Sequence, residues 1–226
     1  MSRDNQLVIS DDGSHTFISD KFGVSYHSTH GALQESITVF LAAGLHYARH
    51  NFISDIKILE MGFGTGLNAL LTLIESEKYR KRISYNTIEA YPIGINEAKS
   101  LNYIDILNAE VYRDQFESMH SSDSMKQITV SDRMVFKKYI CQLENFEPQE
   151  KYNVVYYDAF APTTQPELWD EKMMKKIYDM LADEAVFVSY CAKGSFKRAL
   201  KSAGFVLEPL PGPPGKREMT RAIKSV

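Results

Sequence analysis

Hydrophobic and polar positions change period several times along the chain, and each change marks an element. Near the N-terminus "LVISDDGSHTFIS" alternates on both sides of Asp11-Asp12-Gly13, which predicts two short strands joined by a turn. Across 31–50, Leu33, Ile37, Phe40, Leu41 and Leu45 recur at helical spacing. Strand and helix patterns then take turns: strand 56–61, helix 66–77, strand 83–89 and helix 93–101. Periodicity is weak over 102–150, where one strand is predicted around 127–137. Beyond it come the compact apolar strand "NVVYYD" (153–158), helix 166–181, strand 185–190, helix 195–203, strand 205–209 and a last strand over 218–224. Such alternation predicts an α/β fold with a mostly parallel sheet wrapped by helices. The turn in "EPLPGPPGKREM" would close the last two strands into an antiparallel hairpin. On this reading residues 1–52 form a hairpin and helix packed on the core, and 53–226 form the α/β domain.

Composition narrows the picture little. The chain is long enough for a full core, and 44% apolar with 24% charged residues is ordinary for a globular protein. No run of eighteen apolar residues exists, so no membrane span is expected. The polar start "MSRDNQLVIS" has no apolar signal core, which predicts a cytoplasmic protein. Cys141 and Cys191 lie in no CxxC pattern and read as small buried apolar residues, not as a disulfide or zinc site. Charge is more informative. Eight Lys or Arg against two Glu after Ala192 give that segment +6, so residues 1–192 carry −9 of the overall −3. That asymmetry fits either a face for a polyanion or a solvated helix face and a charged hairpin.

The chemistry begins at "ILEMGFGTGLNALL", residues 58–71: strand, tight glycine turn, helix. In an open α/β sheet ligands bind at the carboxyl ends of strands, where the strand order reverses. Gly62, Gly64 and Gly66 make GxGxG, and Leu67 stands where a dinucleotide fingerprint needs its third glycine. Glu60, two residues before the loop, would repel a pyrophosphate but suits a ligand carrying an ammonium group, such as S-adenosylmethionine. Glu89 closes the next strand, where an acid can grip ribose hydroxyls. Candidate cofactor contacts are therefore Glu60, Gly62, Phe63, Gly64, Thr65, Gly66, Asn68 and Glu89, and the stretch reads as an S-adenosylmethionine loop.

"LEMGFGTGLN" with "IEAYP" resembles the methyltransferase part of the bacterial MnmC family. A longer block, "YYDAFAPTTQPELWDEKMMKKIYDML" and "VSYCAKGSFKRALKSAGFVLEPLPGPPGKREM", is similar to that family in its elements and their order. "DGSHTF" and "YHSTHGALQESITVFL" extend the resemblance over nearly the whole chain, leaving 102–150 weak. It implies the Rossmann-like α/β sheet of class I S-adenosylmethionine-dependent methyltransferases, S-adenosylmethionine as cofactor, and methylation of the amine of 5-aminomethyl-(2-thio)uridine at the tRNA wobble position. Long family members carry a flavin-dependent oxidoreductase half. This chain ends after "GKREM" with no second glycine fingerprint, so it resembles the stand-alone form, and other enzymes are expected to supply the aminomethyl group. Two stretches depart from the usual pattern. The stretch after the third strand reads "YICQLENF", which leaves the adenine contact to Gln142 or to backbone, and the turn before the fifth strand reads "ADEA".

Asp158, closing the fourth strand beside the glycine loop, is the candidate catalytic residue and a further candidate cofactor contact. Its carboxylate can accept the amine's hydrogen bonds and take its proton, or only position it. Phe160 and Pro162 of "DAFAP" are candidates for an apolar wall against a flipped uracil. Lys193, Arg198, Lys216 and Arg217 are candidates for anticodon-stem phosphates, while Glu218 can pair with a neighbouring cation. Glu35 in "LQES" is a candidate cofactor contact, and Trp169 reads as packing. His27 and His30 read as turn-forming or cofactor-proximal. His46 and His50 lack the carboxylate of a metal motif, so no metal is expected. Three rivals stay open: an aminopropyltransferase, a small-molecule amine methyltransferase, and a non-catalytic S-adenosylmethionine- or RNA-binding module.

Overall fold

The computed structural model describes residues 5–52, 55–78 and 81–225. Among the described residues, ten strands form two sheets. The small one pairs β1 (Gln6–Ile9) with β2 (His15–Ile18) antiparallel around the predicted turn. The large one holds eight strands in the order β5-β6-β4-β3-β7-β8-β10-β9. Its centre is parallel: β6 (Met134–Tyr139), β4 (Ile83–Ile88), β3 (Ile56–Met61), β7 (Tyr152–Tyr157) and β8 (Leu181–Ser189). At one edge β5 (Gln127–Thr129) runs antiparallel to β6, and at the other β10 (Glu218–Lys224) lies antiparallel between β8 and β9 (Val206–Pro211). Every residue of β7 is buried, as a strand covered on both faces requires.

Helices cover both faces and create two apolar clusters. One face carries the Leu67–Ser76 helix and the long helix that starts at Ala32, continues as a π-helical stretch over Ile37–His46 and ends at Asn51. The other carries Glu171–Met180 and Gly194–Ala203. Gly44 lets the long helix approach the sheet, since a Cβ there would meet Val188 and Tyr156 at 3.0 and 3.1 Å.

Three expectations are corrected. The helix predicted over 166–181 breaks: Pro166–Trp169 is a 3-10 turn, and Asp170 then caps the true helix by accepting from Met173 N at 2.8 Å. The expected turn at "ADEA" is a bulge within β8, whose register against β7 jumps from Tyr152↔Leu181 to Val154↔Val186. The strand predicted over 127–137 is a hairpin, β5 and β6, and the Arg113–Ser121 helix precedes it.

Candidate active site

The chain order reverses between β3 and β7, and both candidate motifs sit in that crevice. The glycine loop leaves β3 and Asp158 follows β7. Asp158 N donates to Met61 O at 2.9 Å, and Gly62 N donates to Ile88 O at 3.0 Å. Gly62 has φ +89°, and a Cβ on it would stand 2.7 Å from the Asp158 carbonyl. Gly64 has φ +50°, with the Tyr26 ring 2.9 Å from its would-be Cβ. Only glycine satisfies both the left-handed backbone and the close approach at these positions.

A cavity of about 530 Å³, mouth included, opens along this loop. Gly62, Phe63, Gly64, Glu89, Asp158 and Phe160 line it, as do Phe22, Tyr26 and His27 from the segment after β2. Glu89 accepts from Gly64 N and Tyr91 N, both at 2.8 Å, so its carboxylate also fixes the loop. Burial holds its pKa above the ordinary value. Phe160 touches Phe22 and Tyr26, with ring centroids 4.9 and 5.2 Å apart.

Asp158 has a side chain only 5% exposed. Asn68 Nδ2 donates to its Oδ2 at 2.9 Å, and His27 Nδ1 stands 4.0 Å from the same oxygen. Tyr103 OH donates to Thr65 Oγ1 at 2.9 Å, and Thr65 Oγ1 lies 2.8 Å from His27 Nε2. The Thr65 hydroxyl then has its proton for His27, which leaves Nδ1 to carry the ring proton toward Asp158. Burial lowers the His27 pKa to about 4, so the ring is neutral. Burial, then the nearby Glu35 carboxylate, push Asp158 well above the ordinary carboxylate range, while Asn68 and Lys216 pull the other way.

Glu60 lies behind the cavity wall, fully buried, on the central strand. Thr65, Gly66 and Asn68 stand behind the lining too, but Asn68 reaches the site through Asp158. Glu35 is 4% exposed and accepts from Lys216 Nζ and from Ser28 N, the latter at 3.3 Å.

Beyond Phe160 the chain passes into a second, open cleft of about 1080 Å³, counted the same way. Pro162, Tyr190, Lys193, Lys216 and Arg217 line it. "DAFAP" thus runs from one cavity to the other, and it is pinned: Tyr190 OH donates to Ala159 O and Trp169 Nε1 to Phe160 O, both at 2.8 Å. Four of the six candidate substrate residues, Pro162, Lys193, Lys216 and Arg217, meet in this cleft. Phe160 faces the first cavity instead, and Arg198 stands on the exposed side of the Gly194–Ala203 helix. Glu218 pairs with Lys197 at 2.7 Å.

Sequence reasoning missed His120, Lys138, Tyr103 and Tyr190. His120 Nε2 lies 3.2 Å from Thr65 O, its ring packs on Phe63 and Phe116, and the buried Lys138 ammonium caps the Arg113–Ser121 helix through the His120 carbonyl at 2.6 Å. Tyr103, His120 and Lys138 fall in the weakly patterned stretch 102–150, whereas Tyr190 stands in the family-like block that begins "VSYCAK".

The cavity residues fit S-adenosylmethionine. Bare glycine backbone offers close approach, and the Glu89 and Asp158 carboxylates suit ribose hydroxyls and a cationic ligand. Sheet order, glycine crevice and acids define a Rossmann-like protein with a nucleoside-cofactor site, and sequence comparison narrows the class. A profile described as S-adenosyl-L-methionine-dependent methyltransferase matches residues 106–225, and the chain belongs to that family. S-adenosylmethionine is its cofactor. The chain is 29% identical to the tRNA 5-methylaminomethyl-2-thiouridine biosynthesis bifunctional protein MnmC of Aromatoleum aromaticum, over 96% of this chain and 35% of that protein. It therefore spans only about a third of the length of such relatives. The crystal structure of MNMC2 from Aquifex aeolicus superposes with a TM-score of 0.76 at 25% identity, covering 98% of this chain and 70% of that one. A spermidine synthase shares the fold, at TM-score 0.50 and 16% identity over 98% of this chain and 72% of that one.

Proposed function

We propose that the protein methylates the primary amine of 5-aminomethyl-2-thiouridine at the wobble position of tRNA. One observation carries the reading: "DAFAP" joins a cavity that fits the cofactor to a cationic cleft, with the buried Asp158 on the cofactor side. The likeness to the tRNA-modifying MnmC protein supports it.

When bound, S-adenosylmethionine would supply an electrophilic methyl group on a cationic sulfur to an amine lone pair. The protein must deliver that amine neutral and aligned. An alkylammonium has to lose a proton first. Asp158 accepts it, directly or through water, and its raised pKa makes it a stronger base than an exposed carboxylate. Asn68 keeps the carboxylate oriented, with the neutral His27 ring beside it. Lys193 and Arg217 hold the anticodon-stem phosphates at the cleft, and Pro162 walls the extruded base. The same cations disfavour a polyamine substrate, which sets the aminopropyltransferase reading aside.

The test is transfer of labelled methyl to tRNA purified from cells that stop at 5-aminomethyl-2-thiouridine. Wild type should label the wobble nucleoside, and Asp158→Asn should lose about 10²-fold or more in kcat measured at saturating S-adenosylmethionine. No label in tRNA, with cofactor binding intact, would overturn the tRNA assignment.

A further inference from the structure

The contact between Lys216 and Glu35 takes no part in the steps above, yet it sits beside them. Glu35 presents a carboxylate whose side chain is 5% exposed, on the helix before the glycine loop. Lys216 comes from the turn between β9 and β10, and its ammonium lies both on that carboxylate and over the Tyr190 ring, 3.9 Å from the centroid. Tyr190 in turn bonds the carbonyl of Ala159, next to Asp158. A primary ammonium is therefore seated between a buried carboxylate and an aromatic face, and Tyr190 links that seat to the residue next to the proposed base, Asp158. That is the construction of a receptor for a primary ammonium.

The substrate of the proposed reaction carries the same group, an ammonium on a methylene. Lys216 also lines the open cleft with Lys193 and Arg217, its side chain 29% exposed. A lysine is a compact charge on a flexible four-carbon stem, so it can leave Glu35 for a phosphate in that cleft without moving the backbone. It cannot serve both at once. With Lys216 seated, the Glu35 charge is neutralised and an incoming ammonium meets Asp158 alone.

We propose that Lys216 is a latch: it occupies the Glu35–Tyr190 niche until an RNA phosphate draws it into the cleft, and the niche then receives the substrate's aminomethyl group. The identity of that amine rests on the tRNA reading above; the latch itself concerns any primary amine. Its consequence is selectivity. An amine carried on RNA brings the phosphate that releases Lys216, whereas a free amine has to displace it unaided.

The experiment compares kcat/KM for modified tRNA and for the free 5-aminomethyluridine nucleoside in wild type and Lys216→Met, which keeps the stem and removes the charge. The variant should gain about tenfold on the nucleoside, a difference of about 1.4 kcal/mol, and lose on tRNA. Nucleoside activity that is unchanged or lower would overturn the latch. A second measurement uses wild type alone. Anticodon-stem RNA abasic at the wobble position, added in trans, should raise nucleoside methylation several-fold at about 50 mM salt and not at about 0.5 M, because phosphate contacts are screened. Inhibition or no effect overturns the proposal. If wild type ignores modified tRNA while Lys216→Met gains on the nucleoside, the tRNA reading falls together with release by RNA, and only the occupation of the niche by Lys216 stands.

Discussion

Burial pushes the Glu60 carboxyl up to about 7, against the pull of the Thr87, Tyr85 and Asn68 groups around it. Both its oxygens, with Tyr85 OH, Thr87 Oγ1 and Asn68 Oδ1, make no well-formed hydrogen bond among the described residues. An acid raised in the folded state favours folding at low pH. The unfolded chain ionises near 4.5 while the folded chain keeps its proton, so this contribution is lost as pH rises from about 4.5 to about 7. The shift corresponds to about 3 kcal/mol as an order of magnitude. Glu60→Gln, which is neutral throughout, should therefore be more stable than wild type by about 1–3 kcal/mol at pH 8 and no more stable at pH 4. Urea denaturation at the two pH values decides it. An equal effect at both would mean that burial does not raise the Glu60 carboxyl in the folded protein.

Among the elements, the glycine loop is held from three sides, by Asp158, Glu89 and the Arg113–Ser121 helix. Gly62 is its least replaceable position, because the atom a Cβ would strike is backbone and cannot swing aside. Gly62→Ala should cost about 2–4 kcal/mol of stability, a fall of about 5–10 °C in Tm, and weaken S-adenosylmethionine binding severely in a calorimetric titration. A variant with wild-type Tm would show that the loop can shift away from β7. The loop, Glu89 and Asp158 were readable in the sequence because each is tied to a strand end and its glycines to one backbone conformation. The helix beneath them was not. "RDQFESMHS" shows no motif, and His120 acquires its partner Thr65 from 55 residues away only through the fold. The π-helical winding over Ile37–His46 escaped for another reason: apolar spacing predicts the buried face and does not separate the two windings over ten residues.

At the scale of the whole molecule, the sequence showed where positive charge accumulates but not how it is spent. Arg221 pairs with Glu208, Lys197 with Glu218 and Lys216 with Glu35, while Lys224 reaches the carbonyls of Tyr178 and Leu181. Only folding sorts these from Lys193 and Arg217 at the cleft. Ionisation also sets how the whole fold answers to acid. Burial lowers His27 to about 4 and His120 to about 3, the latter helped by the Lys138 charge. Both rings protonate near 6.5 once unfolded, so the stability they lend is complete above that value and is lost as pH falls toward 4 and 3. Glu60, Glu89 and Asp158, all raised, act in the opposite direction and mask part of that loss. His120→Asn separates the two effects away from Asp158, since asparagine keeps a donor for Thr65 O but carries no charge. It should be less stable than wild type at pH 7, where the packing on Phe63 and Phe116 is missed. Below pH 6.5 the gap should narrow by up to about 1.4 kcal/mol per pH unit, because only wild type continues to pay for a neutral ring. Urea midpoints at pH 7, 5.5 and 4.5 would record the narrowing, and a constant gap would mean that His120 is charged in the folded protein.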